Sequence, residues 1–365
     1  IGHGGNDSDG TKGIGGSVNG GLIDVSAVTG ITMTGTPGLT DGAAVPVATG
    51  QGGFVQIGHG GFGSAGNTAG SIFVDSGAGI TGMAGDRNDS YLQIGHGGRQ
   101  ARGDHGVTGD VIEVTAVDSI TISGGNNGEG FDGVASLRTY AQIGNGGHDA
   151  DTQETAVPYI APPADRAGNV ANILVSSTEG NITFTTGTQR ESYVQLGHGG
   201  ALSDGDHTGT ITVQAASGAI TFDGSTTGVD PVGAGNTPTT RYSQLGHGGY
   251  RASGGNTGAI DVDAFNAITF TAGNDGSSYT QLGHGGRNDA RINNGNGNNN
   301  NDRFFAGTHS GQIDVTSTAG DIAFTSGNSG ASYSQLGHGG RESMAAAGEG
   351  HSGAINVTAG GSVDF

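Results

Sequence analysis

Short runs of alternating apolar and polar residues, each cut off by Gly, Asn, Asp or Ser, follow one another along the whole chain. The clearest set reads Ala259-Ile260-Asp261-Val262-Asp263-Ala264, then Ala267-Ile268-Thr269-Phe270-Thr271, then Ser278-Tyr279-Thr280-Gln281-Leu282. Alternation at period two, bounded by turn formers, predicts short β-strands that bury one face. The first strand of this set returns as Ile23-Asp24-Val25, Ile72-Phe73-Val74, Ile112-Glu113-Val114, Ile173-Leu174-Val175, Ile211-Thr212-Val213, Ile313-Asp314-Val315 and Ile355-Asn356-Val357. The second returns at Ile31–Thr34, Ile120–Ser123, Ile182–Thr185, Ile220–Asp223 and Ile322–Thr325. The third carries an aromatic ring two residues before a Gln, at Phe54, Tyr91, Tyr140, Tyr193, Tyr242, Tyr279 and Tyr333. β-Branched strand interiors and glycine every few residues exclude a helical reading.

One unit repeated end to end is a supersecondary module stacked on itself. The pattern predicts an all-β fold: a right-handed parallel β-solenoid of about eight repeats, three short strands in each, running as one continuous region over residues 1–365. Each strand would pair with its counterpart in the next unit, about 4.8 Å along the axis. One coil per unit with two variable loops fits better than a unit wound twice. Insertions fall only after the Gly-Gly that closes the third strand and between the second and third strands. The first loop is short from Gly249 to Ile260 and long from Gly147 to Ile173 and from Gly286 to Ile313; the second is short from Thr271 to Tyr279 and long from Thr34 to Phe54. All 7 prolines and all 13 Lys and Arg residues fall outside the strands, and a residue that cannot donate to a ladder belongs there. Asn293–Asn301, almost pure Asn and Gly, reads as a loop tip.

The third strand runs into a recurring phrase, Gln-[Ile/Leu]-Gly-His-Gly-Gly. Its Gln column is Gln56, Gln93, Gln142, Gln195, Gln244, Gln281 and Gln335. Its His column is His3, His59, His96, Asn145, His198, His247, His284 and His338, with Asn in one copy. Stacked imidazoles raise the possibility of a metal ladder. Against it, Asn145 is a poor ligand for soft metals, and one ligand per coil does not close a coordination set. Asn and His share tolerance of left-handed backbone and the capacity to bond a neighbouring backbone group. The column therefore reads as a structural turn or stacked ladder, with no metal and no cofactor. A second His/Asn column precedes the first strand at Asn19, Asn67, His105, Asn169, His207, Asn256, His309 and His351. The Gln column suits stacked amides that satisfy one another along the axis. The Tyr column lies on the same face as Gln, and the sequence leaves open whether that face is interior or exterior.

Charge narrows the partners. The chain carries 33 acidic against 13 basic residues, a formal −20, which repels nucleic acid and anionic lipid. It has no Cys, so no disulfide or thiol chemistry. No apolar run approaches the length of a membrane span. Glycine is frequent, 79 residues, but without the collagen period. Acidic loops such as Asn6–Gly10 and Asp204-Gly205-Asp206 have oxygen ligands near calcium spacing, yet no copy holds a full calcium loop; solvated loops are the simpler reading. No catalytic constellation stands out. Every His except His148 belongs to a column, and His148 reads as a surface loop residue.

The pattern Gly-x-Ile-x-Val-x-Ala, Ile-Thr-Phe-Thr-x-Gly, Tyr-x-Gln-[Ile/Leu]-Gly-His-Gly-Gly resembles the repeat regions of filamentous-haemagglutinin-like exoproteins. These are bacterial surface proteins of the two-partner-secretion type, built as right-handed β-helices. The resemblance covers essentially the whole chain and implies an extracellular or cell-surface adhesive rod or filament, not an enzyme, displaying loops to host-surface or matrix glycans or proteins. It supplies no catalytic residue, and the family's N-terminal secretion domain has no counterpart here. Two alternatives remain: a β-helix polysaccharide-active enzyme, which needs a carboxylate or basic cluster in one groove, and an ice- or surface-binding solenoid. The last is suggested by outward Thr32, Thr34, Thr121, Thr183, Thr185, Thr221, Thr269, Thr271 and Thr325, interrupted by Asp223 and Ala323. The chain opens inside the third strand at Ile1 and stops after a second strand at Phe365. The expectation is that coils continue past both, in a longer chain or by head-to-tail stacking of copies.

Overall fold

A computed structural model describes residues 1–3, 21–35, 53–86, 89–125, 138–150, 168–188, 191–224, 240–274, 276–287, 307–343, 345 and 350–365. All seven prolines, Asn19, Asn6–Gly10 and Asn293–Asn301 lie outside the described residues. The chain is a right-handed parallel β-solenoid with no helix among those described. The first strands form an eight-stranded sheet from Ile23–Ala27 to Ile355–Ala359, and the second strands another of eight from Ile31–Thr34 to Val363–Asp364. The third strands form a sheet of seven, from Phe54–Ile57 to Tyr333–Leu336.

Each strand pairs in parallel with the same strand of the next unit. Ile72 lies opposite Ile23 and Ile112, and Tyr193 opposite Tyr140 and Tyr242. The unit therefore makes one coil, not two. Stacked tyrosine rings of successive coils stand 4.6–5.1 Å apart, close to the spacing of neighbouring strands.

Two features are additional to the sequence pattern. A fourth sheet of two-residue strands, Asn169–Val170, His207–Thr208, Asn256–Thr257 and His309–Ser310, precedes the first strands. The second coil also has its second strand at Ile80–Met83, where Gly82 stands in the row otherwise held by Met33, Ile122 and Phe184. A Cβ on Gly82 would lie 2.8 Å from a methyl of Leu92 and 2.9 Å from one of Ile122. The neighbouring side chains thus fill the space a larger residue takes in other coils.

The cross-section has two compartments. Ile211, Val213, Ile220, Phe222 and Leu245 are fully buried and, with their counterparts, form the main apolar core, which opens toward the terminal coils, where Val25, Ile31, Leu336 and Val357 are only partly buried. The third sheet is its inner wall, and in the middle coils this sheet is buried on both faces, as in Tyr193–Leu196 and Tyr242–Leu245. Its Leu or Ile faces the main core. Its Tyr faces a second cluster built of Tyr91, Tyr140, Tyr193, Tyr242 and Tyr279 with Phe62 and Ala201. The loop after Gly-Gly folds back over that side. The open question about the Tyr and Gln face is settled as interior: a strand with one apolar and one polar face has both covered.

Candidate functional site

The Gly-His-Gly-Gly corner is the most densely bonded part of each coil. The backbone N–H of His59 donates to Nδ1 of His96 (3.0 Å), that of His198 to Nδ1 of His247 (2.9 Å), and that of His247 to Nδ1 of His284 (3.0 Å). On the far side of each ring Nε2 meets a carbonyl ahead of the first strand: Gly70 for His96 (2.7 Å), Ala171 for His198 (2.8 Å), Gly209 for His247 (2.9 Å). An Nδ1 facing an N–H must accept and an Nε2 facing a carbonyl must donate, so the partners fix the neutral Nε2–H tautomer. Both ring nitrogens are used by protein, which leaves no lone pair for a metal. No group of three metal-ligating side chains occurs among the described residues.

Asn145 reproduces this bonding with different atoms. Its Oδ1 accepts from the N–H of His96 (2.8 Å), and its Nδ2 donates to the carbonyl of His105 (3.1 Å). One acceptor and one donor in the right places are what the corner needs, and either side chain supplies them. Burial, more than any other cause, pushes the buried rings well down from their ordinary value: His96 to about 4, His198 to about 3, His247 and His284 in the same direction. The neighbouring imidazoles add to the effect, while the Nε2–carbonyl bond opposes it.

The glutamines behave differently from the expected amide ladder. Gln93 Nε2 donates to the carbonyls of His96 in its own coil (3.0 Å) and of Gly144 and Gly146 in the next (3.0 and 2.9 Å). Gln142, Gln195, Gln244 and Gln281 repeat the arrangement. The amides bond the glycine backbone instead of one another: Gly146 accepts from Gln93 as well as from the N–H of Gly98, so the amide uses the carbonyl's second lone pair. On the same side, the Tyr hydroxyl of one coil approaches Gln Oε1 of the coil before, as in Tyr242 to Gln195 and Tyr279 to Gln244, both 3.4 Å. The hydroxyl, with the carbonyl of Gly147, also explains the last glycine of the phrase. A Cβ on Gly200 would lie 2.8 Å from the Tyr193 hydroxyl, at a φ of +139°. The glycine directly after the His faces the second column: a Cβ on Gly199 would lie 2.7 Å from Nε2 of His207.

That second column is the fourth, short sheet. Its register places Thr68, not Asn67, opposite His105. Thr68 Oγ1 bonds His105 Nδ1 at 2.8 Å, while Asn67 sits to one side against Asp104. Asn169 and Asn256 donate to Nδ1 of His207 and His309 at 3.1 and 3.0 Å. This leaves Nε2–H of His207 toward Ser203 (3.5 Å) and Nε2–H of His351 toward Ser343 (3.2 Å), since His351 Nδ1 accepts from the N–H of His309. Both look like Ser–His pairs. In both the ring presents its proton to the hydroxyl and so cannot take the hydroxyl's proton, which is what nucleophilic catalysis asks of it.

The flank of the second compartment gathers the charges. Arg99 pairs with Asp89 at 3.1 Å, Arg138 with Glu191 at 2.6 Å, and Gln100 with Asp149 at 3.0 Å. His148 is also there. It is buried, contrary to the surface placement its loop position suggested, and burial holds its ring well below the usual range, with Arg138 and Arg99 acting the same way. It follows Gly147 directly, as Arg99 follows Gly98 and Ala201 follows Gly200, so it occupies a column position that the varied residue types conceal. In the acidic loop, Asp204 accepts from the Ser253 hydroxyl and Asp206 from the N–H of Gly255 (2.6 Å). These carboxylates tie one coil to the next.

The His, Gln and aromatic columns of the third strand line up as intercoil bonding devices; in the second His/Asn column Thr68 takes the place expected of Asn67, and Asn19 lies outside the described residues. The chain matches no protein-family model, no curated protein and no solved structure.

Proposed function

We propose that this chain is an extracellular, cell-surface structural or adhesive element: a rigid β-helical rod whose variable loops meet host-surface or matrix glycans or proteins. The observation that carries this reading is the division of labour within the coil. The ladders keep register from Phe54 to Tyr333, while length varies at only two loop positions. A scaffold held constant while its loops vary is how recognition surfaces are built. The chemistry of the interior supports it, since the columns of His, Gln and Tyr are consumed in holding coils together. The resemblance to filamentous-haemagglutinin-like exoproteins points the same way, as does an acidic exterior. Copies or further coils stacked end to end would lengthen the rod into a filament.

Two measurements test this. Electron microscopy of the native material should show rods of uniform width; compact particles would refute the rod. Binding to immobilised matrix proteins and glycans should fall when the long loop between Gly286 and Ile313 is replaced by the short one found between Gly249 and Ile260. Retention of full binding after both long first loops are replaced would refute loop-borne adhesion.

A further inference from the structure

The two outer sheets of the coil present very different surfaces. In the second sheet, the first outward position of successive coils is Thr32, Thr81, Thr121, Thr183, Thr221 and Thr269, then Ala323 and Asp364, all in one register. Beside it runs a second row, Thr34, Met83, Ser123, Thr185, Asp223, Thr271 and Thr325. None of these threonines is buried. Strand propensity favours Thr at exposed positions, but it acts equally on the first sheet. There the corresponding first row is Asp24, Phe73, Glu113, Leu174, Thr212, Asp261, Asp314 and Asn356. The first sheet, with one Thr in that row and carboxylates at Asp24, Glu113, Asp261 and Asp314, is an internal control within the same coils. The six-coil run of Thr is specific to the second sheet. Charge is segregated too: in a chain of formal charge −20, the two second-sheet rows carry only Asp223 and Asp364.

We infer that the outer face of the second sheet is a binding surface for ice. The rows repeat about every 4.8 Å along the axis and about 6.6 Å along the strand, spacings comparable to the lattice repeats of crystalline water. Each Thr offers one hydroxyl and one methyl, and its β-branch restricts χ1. Neighbours in the ladder add restraint, as where Thr269 Oγ1 donates to Thr221 Oγ1 at 3.2 Å. The array is therefore ordered before it meets a ligand, and little entropy is lost on binding. The unbroken first-row run of hydroxyls and methyls from Thr32 to Thr269, flanked in the second row by a single carboxylate at Asp223, matches a regular lattice of water. It lacks the outward aromatic rings on which sugar faces stack and the positive charge an acidic polymer needs.

The experiment uses the whole chain, fluorescently labelled, with three readouts: adsorption to a growing ice surface, thermal hysteresis, and inhibition of ice recrystallisation. The unmodified chain should concentrate on ice. The outward double variant T183K/T221K should lose this while keeping its circular dichroism and melting temperature. The first-sheet variant L174K/T212K, equally outward, should retain it. Exclusion of the unmodified chain from ice would overturn the inference, as would ice adsorption untouched by T183K/T221K. So would adsorption to crystalline cellulose or chitin with exclusion from ice. Ice binding does not depend on loop-borne adhesion, since loop replacement leaves both Thr rows in place.

Discussion

A single residue shows how this interior is specified. His198 accepts the N–H of Asn145 and donates to the carbonyl of Ala171, in a fully buried site. Its role is the pair of bonds and not the ring. The protein already carries the substitution that proves the point, with Asn145 holding the same two kinds of partner in the coil before. His198→Asn should therefore cost little, about 1 kcal/mol or less. His198→Ala leaves a buried N–H and a buried carbonyl unpaired and should cost about 2–6 kcal/mol, from a desolvation penalty of about 1–3 for each group. Hydrogen exchange at the Asn145 amide is the measurement: slow in His198→Asn, fast in His198→Ala. Equal exchange in the two variants would mean that ring stacking (centroids 4.7 Å apart between His198 and His247) carries the stability instead.

Between strands, packing volume is traded across the core. The second coil has Gly82 where later coils have Phe184, Phe222 and Phe270, and it has Leu92 where they have Val194, Ser243 and Thr280. The large residue sits beside the small one, and a Cβ on Gly82 would meet the Leu92 methyl. Gly82→Ala alone should destabilise this coil by about 1–3 kcal/mol through overpacking, and Leu92→Ala alone by about 2–5 kcal/mol through a cavity. The double variant should cost less than the sum by about 1 kcal/mol or more, read from native-state exchange over Tyr91–Ile94 in a double-mutant cycle. Strict additivity would show that the two sites do not share space. The same trade explains what the sequence made legible. Strands with an apolar residue at every second position were readable from alternation alone, and with them the fold class, the coil count and the columns. Ile80–Met83 escaped because its inward residue is Gly82, and the fourth sheet escaped because two polar residues such as His207-Thr208 carry no periodicity. The inward face of Tyr193 and Gln195 was undecidable because the strand is covered on both sides, which removes the contrast that alternation relies on. His148 was misplaced because its column holds Arg99, Ala201 and Tyr250, which share only a backbone position.

At the scale of the whole solenoid, the histidine columns make stability depend on pH in a defined direction. Burial holds His96 at about 4 and His198, His207 and His309 at about 3, whereas in the unfolded chain each imidazole titrates near its ordinary 6.5. Above that value folded and unfolded states bind the same protons on these rings, so stability is level. As pH falls below 6.5 the unfolded chain takes up protons that the folded rings refuse. Stability then drops by about 1.4 kcal/mol per pH unit for each such ring, until the folded values near 3–4 are reached. Coils are coupled to their neighbours, so losses in several coils act on one stack. The urea midpoint should stay constant from pH 8 to pH 7 and fall steeply between pH 6 and pH 4.5. Replacing His247 and His284 together by Asn should reduce that slope by roughly two protons while leaving stability at pH 8 nearly unchanged, because Asn keeps the bonds and cannot be protonated. An acid profile that is flat from pH 7 to pH 5 would require the folded rings to accept protons. It would contradict an Nδ1 held as acceptor by the N–H of the adjoining coil.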